Sequence, residues 1–191
     1  MAGLEAAGLA TGLLSVWWLI RQNVLTWPMG IVYTLISLVI FWKVRLYADL
    51  GLHLIYLALG VYGWYHWVYG NRRKGPEPLP VSESRPVVLL TVFFSSLLFS
   101  GIMGWLLGRY TDADVPYLDS ATTCFSLGGM WLTARKKIES WYFWFFVDVL
   151  AGAIYIYKEI YFYAALYLLY TVMALMGYLS WRRSMHPQPN P

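Results

Sequence analysis

Trp141, Trp144 and Asp148 stand at positions i, i+3 and i+7. On a helix that spacing places two indole rings and a carboxylate on one face, over about 10 Å of axis. Asp148 falls near the middle of an apolar segment. A carboxylate at that depth costs about 3 kcal/mol on insertion scales, so it is expected to face a protein interior and to have a partner there. An aromatic face beside a buried acid suits a desolvated organic cation, because the ring quadrupole and the carboxylate both attract positive charge. His53, Tyr167 and Tyr170 are expected to face the same interior, with Gln22, Asn23 and Thr34 as subsidiary candidates. Plainer readings stand beside these: Trp141 as a ring in the lipid interface, Asp148 bonded to a tyrosine, and His53 as a packing group.

The elements that must carry these residues are apolar helices. The chain has 191 residues, 59% hydrophobic and 13% charged, with a mean hydropathy of +0.52. Soluble domains carry about a quarter charged residues. Seven apolar segments, about 6–20, 27–44, 50–69, 87–108, 115–134, 141–157 and 161–181, each approach the roughly 20 residues that cross a bilayer. The expected fold is an all-α integral membrane protein of seven transmembrane helices. No basic residue precedes the first segment, so it reads as a retained span and not as a secretory signal. The single cysteine, Cys124, is expected to pack as a small apolar group.

The chain is also written twice. Residues 21–67 fall without a gap on 135–181 at an offset of 114, pairing Arg21 with Arg135, Trp27 with Trp141, Tyr56 with Tyr170, Gly63 with Gly177 and Trp67 with Trp181. Duplicated hydrophobic units are a mark of transporter folds. The division is a first three-helix repeat (1–69), a linker (70–86), a connecting helix (87–108), a second repeat (115–183) and a disordered tail (184–191). Three spans reverse the side of the chain and the connecting span restores it, so the repeats are parallel. The same offset matches Trp144 to Gly30, Asp148 to Thr34 and Tyr167 to His53. The cation-attracting pair thus exists only in the second copy, as befits an asymmetric ligand, whereas residues kept in both copies serve the fold.

Charge placement orients the protein. Arg21, Arg72, Arg73, Lys74, Arg85, Arg135, Lys136, Lys137, Arg182 and Arg183 lie on one side, ten of the 14 basic residues, against Lys43, Arg45, Arg109 and Lys158 on the other. By the positive-inside rule the ten are cytoplasmic, with the N-terminus outside and the C-terminus inside. No motif points to a nucleic-acid partner. The chain also has no Walker-type phosphate loop, no metal-ligand spacing and no nucleophile triad. Neither an enzyme nor a cofactor is expected.

Several stretches carry a resemblance to a known family: Gln22-Asn23 before Trp27-Pro28-Met29-Gly30, then Leu46-Tyr47-Ala48-Asp49, then Tyr62-Gly63-Trp64-Tyr65-His66-Trp67. In the second repeat it continues through Arg135-Lys136-Lys137, Trp141-x-x-Trp144, Asp148 and Leu166-Tyr167 to Tyr170. Over about residues 5–183 the chain resembles the Pnu vitamin transporters. The resemblance implies a 3+1+3 arrangement like that of the SWEET sugar transporters, in a bacterial cytoplasmic (inner) membrane. It also implies a homotrimer, and facilitated diffusion of a vitamin such as nicotinamide riboside that a cytoplasmic kinase then traps by phosphorylation. Where nicotinamide riboside carriers are expected to have a glutamine after Leu-Tyr-Ala-Asp, this chain has His53. An imidazole offers a different set of donors and acceptors, which leaves thiamine, or another vitamin or nucleoside, as the alternative substrate.

Overall fold

The computed structural model describes residues 2–45, 47–70 and 79–185. It contains seven helices: α1 (Ala2–Ile20), α2 (Thr26–Val44), α3 (Tyr47–Tyr69), α4 (Pro86–Tyr110), α5 (Pro116–Ala134), α6 (Ser140–Tyr157) and α7 (Tyr161–Met185). They match the seven apolar segments to within a few residues at each end. Residues 71–78 of the expected linker and 186–191 of the expected tail lie outside the described residues. The described part of α7 extends to Met185.

Local chemistry sets the ends. Pro86 and Pro116 open α4 and α5, where a missing N–H costs nothing. Left-handed residues follow four helices: Gln22 (φ 56°) and Lys136 (φ 55°) after α1 and α5, Arg45 (φ 60°) and Glu159 (φ 59°) after α2 and α6. Each pair is separated by 114 residues, so both repeats leave the helix by the same backbone turn.

The packing makes a ring. Helix α1 packs on α2 and α7, α3 on α2 and α5, and α6 on α5 and α7. Among the described residues, α4 packs only on α5, through the small residues Ser96, Ser100 and Gly104. That spacing lets backbones approach closely. Six helices thus close around an interior and α4 stands outside it. Large apolar side chains such as Trp42, Phe94, Leu98 and Leu168 are exposed on the outside, the reverse of a water-soluble surface. Helices α2, α4, α6 and α7 are long and apolar enough to cross a membrane by composition. Helices α1, α3 and α5 fall short of that measure. The uninterrupted apolar run of α1 is Ala6–Ile20, while α3 and α5 turn polar groups such as His53, Tyr56, Thr122 and Thr133 to the interior.

The duplication recurs contact by contact. Trp27 lies over Gly63 so closely that a methyl there would overlap the ring, and Trp141 lies over Gly177 in the same way. Trp27 meets Trp67 edge to face at 5.5 Å, and Trp141 meets Trp181 at 5.4 Å. The indole N–H of Trp67 donates to the carbonyl of Thr133 (3.1 Å), and that of Trp181 to the carbonyl of Leu19 (3.0 Å). Arg21 caps the Trp17 ring at 4.6 Å, and Arg135 caps Trp131 at 4.5 Å. Every one of these pairs keeps the 114-residue offset.

Residues Leu79–Arg85 are laid against the α5–α6 turn. Ser82 pairs with Lys137 in an isolated parallel bridge, Lys137 donates to the Ser82 hydroxyl (2.9 Å), and Glu139 accepts from the Ser84 backbone (2.8 Å). Lys136 is buried beneath this strap, donating to the Leu79 carbonyl (2.7 Å) and lying 4.7 Å from the centre of the Trp67 ring. Burial pushes its ammonium down to about 8, because the charged form is the one that loses hydration.

Candidate functional site

The ring encloses a cavity of about 450 Å³, within the size range of small-molecule sites. Its walls are drawn from both repeats, often as equivalent pairs: Trp27 with Trp141, Gly30 with Trp144, Thr34 with Asp148, His53 with Tyr167, and Tyr56 with Tyr170. The cavity therefore lies where the two repeats face each other. One end is floored by Trp27 and Trp141, the other reaches Asp119 and Lys158. These two form a part-exposed ion pair at 3.8 Å.

All six residues singled out by sequence line this cavity, but in different ways. Trp141 is 2% exposed, wedged between Gly177 and Trp181. The lipid-interface reading of Trp141 does not hold, because its ring fills the space a glycine leaves inside the bundle. Trp144 is half-buried, its indole N–H held by the Thr133 hydroxyl at 2.9 Å. Gly129 leaves room for that ring. Asp148 is buried on the same face of α6, with Tyr167 and Tyr170 within electrostatic reach. No lysine or arginine among the described residues is ion-paired with it, since the cation at the cavity end, Lys158, pairs with Asp119.

The tyrosines form a wall. Tyr155 stacks on Tyr167 at 5.3 Å, and Tyr167 meets Tyr170 edge to face at 6.0 Å. Opposite in the duplication, His53 packs edge-on between Phe41 (4.7 Å) and Tyr56 (5.6 Å). Both the packing and the ligand-facing readings of His53 describe part of its position. Thr34 reaches the cavity but donates its hydroxyl to the Gly30 carbonyl (2.8 Å). Gln22 and Asn23 are absent from the lining. Gln22 donates to Ser184 (2.8 Å) and Asn23 caps the backbone N–H of Leu25 (2.9 Å), so they shape the turn after α1.

Sequence reasoning passed over Thr133, Tyr33, Tyr155, Asp119 and Lys158, all of which line the cavity. Thr133 had a legible signal, since it replaces Leu19 of the first repeat. The others carried none, because a tyrosine or a charge at a helix end looks the same in sequence whether it faces the cavity or the surroundings.

Comparison with known proteins finds transporters named for different substrates. Residues 2–183 match the family model described as nicotinamide mononucleotide transporter. The chain is 25% identical over 207 residues to the nicotinamide riboside transporter PnuC of Escherichia coli, covering 96% of this chain and 87% of that protein. It is 21% identical over 188 residues to the riboflavin/roseoflavin transporter RibM of Streptomyces davaonensis, covering 96% and 88%. The crystal structure of the vitamin B3 transporter PnuC superposes with a TM-score of 0.73 at 18% identity, covering 95% of this chain and 81% of that one. That likeness establishes the fold.

Proposed function

The chain belongs to the nicotinamide mononucleotide transporter family, and from that membership we propose that its cavity carries nicotinamide riboside. As an integral membrane transporter for a vitamin, it must offer a small molecule a site between its repeats. The observation that carries the proposal is Asp148, buried on the cavity wall with no lysine or arginine among the described residues paired to it, beside the Trp144 ring. A flat cationic ring supplies a positive charge beside Asp148 and a ring to lie against the indole. The ribose hydroxyls find hydrogen-bonding partners in the tyrosines and threonines around it.

The proposed architecture is a 3+1+3 arrangement of seven spans like that of SWEET carriers, with parallel repeats about an axis along the membrane normal. The ring of α1–α3 and α5–α7 with α4 outside it supports this reading. The membrane is the bacterial cytoplasmic one, with the N-terminus outside and the basic end inside. Transport is facilitated diffusion by rocking of one repeat against the other. Asp148 is the one acid placed deep in the bundle by this reading, too few stations for an ion relay. A homotrimer and a cytoplasmic kinase acting downstream complete the proposal.

Tryptophan quenching on purified protein, with nicotinamide riboside, thiamine and riboflavin compared at equal concentrations, tests the substrate. The expected order puts nicotinamide riboside first. Tighter binding of thiamine would transfer the assignment to the alternative, and tighter binding of the neutral flavin would remove the role given to Asp148.

A further inference from the structure

Thr133 is the last-but-one residue of α5, 3% exposed, and it holds two tryptophans of different standing. Its hydroxyl donates to the Gly129 carbonyl (2.8 Å) and accepts the indole N–H of Trp144 (2.9 Å). Its carbonyl accepts the indole N–H of Trp67 (3.1 Å), which comes from the other repeat. Trp67 belongs to the cluster of Trp27, Trp141 and Trp181 that closes the basic end of the cavity.

The duplication separates these two contacts. At the position equivalent to Thr133, Leu19 offers the same carbonyl to Trp181 (3.0 Å). It has no hydroxyl, and Trp144 is matched by Gly30. The carbonyl contacts are therefore common scaffold of both repeats, whereas the hydroxyl–indole contact exists only in the repeat that carries Trp144 and Asp148. A threonine in a helix can give its hydroxyl proton to the i−4 carbonyl without any partner from another helix. Here the remaining lone pair fixes the plane of the ring that faces the cavity.

We propose that Thr133 is a positioning residue for substrate recognition, its hydroxyl setting the Trp144 ring as the platform while its carbonyl ties that platform to the tryptophan seal. The proposal rests on the reading of Trp144 as part of the binding site. A ligand that moves the Trp144 ring shifts the same residue that anchors Trp67 across the repeat seam, so occupancy is felt at the seal through one residue.

Isothermal titration with nicotinamide riboside and uptake into proteoliposomes, on Thr133→Val, Thr133→Ser, Trp144→Phe, Trp144→Ala and the Thr133→Val/Trp144→Phe double variant, test it. Valine keeps the shape and removes the acceptor, so affinity should fall about five- to tenfold and the saturating uptake rate should fall with it. Serine should restore both. Trp144→Phe removes the donor, and adding Thr133→Val to it should change nothing more, a non-additivity that mere loss of packing would not produce. Wild-type affinity and rate in Thr133→Val, failure of serine to rescue, or additive losses in the double variant would each overturn the proposal. Trp144→Ala separates the two levels. If it loses binding while Thr133→Val does not, only the role of Thr133 fails. If it binds like wild type, the site reading fails and the role of Thr133 goes with it.

Discussion

Trp67 and Trp181 meet across the seam between the repeats with ring centroids 6.0 Å apart and planes tilted by 56°. Each also donates its indole N–H to a carbonyl of the opposite repeat, Thr133 for Trp67 and Leu19 for Trp181. Nearby, Ser180 donates to the Ile20 carbonyl (3.0 Å) and Gln22 to Ser184 (2.8 Å). These contacts hold the repeats together at the basic end. The cavity itself lies beyond Trp27 and Trp141, toward the Asp119–Lys158 pair. In the proposed rocking motion, opening the basic end requires these inter-repeat bonds to break.

The glycines beneath Trp27 and Trp141 should behave as a matched pair. Gly63→Ala and Gly177→Ala each push a methyl into an indole ring, which costs about 1–3 kcal/mol in a well-packed core. Thermal unfolding in detergent should fall by similar amounts for both. A large loss for one and none for the other would show that the repeats are not equivalent at this contact.

Substrate charge is the test of Asp148. Asp148→Asn should weaken nicotinamide riboside by about 2–5 kcal/mol, the usual effect of removing one member of a desolvated charge pair. A neutral analogue of the same shape should lose much less. Thr34→Ala, the equivalent change in the first repeat, should do little, because that hydroxyl is already given to the Gly30 carbonyl. Titration of folded, monodisperse variants with both ligands measures the difference. Wild-type binding of both ligands by Asp148→Asn would make the acid structural.

Lys136 should leave a signature in the pH dependence of stability. In the folded protein its ammonium is pushed down to about 8, against about 10.4 for an ordinary lysine. Between those values the unfolded chain binds more protons, so unfolding becomes harder as pH rises. Below pH of about 8 the cost of burying the charge is present in full. Melting temperatures of wild type and Lys136→Met, which keeps an apolar stem over Trp67, should converge or cross in favour of wild type as pH rises from 8 to 10. Parallel curves would place the titration elsewhere.

Uptake should need a substrate gradient and nothing else. Proteoliposomes should equilibrate with labelled nicotinamide riboside and stop there. Accumulation above the outside concentration under a sodium or proton gradient would reveal a coupling site.

Orientation is testable by fusion. With ten basic residues on one side and four on the other, a reporter active only after export should be silent when joined behind Arg183. Activity there would reverse the topology or change the number of spans.

The sequence alone determined the helices, the duplication and the choice of face on α6, because each is a periodic or repeated property of residues along the chain. Apolar runs near bilayer length recur with a fixed offset, and Trp141, Trp144 and Asp148 share a face whatever the rest of the chain does. It could not determine which of those side chains do which job. Trp141 and Trp144 are three residues apart and look alike in sequence, yet one fills the space over Gly177 and the other donates a hydrogen bond to Thr133 at the cavity wall. Gln22 and Asn23 read as polar groups for a ligand, and the turn after α1 consumed them. Thr133 was passed over, because its carbonyl and hydroxyl gain their indole partners only when α3 and α6 are brought against it. These distinctions depend on which helix faces which around the ring, and such long-range packing is set by contacts between residues far apart in the chain, beyond the reach of any local pattern.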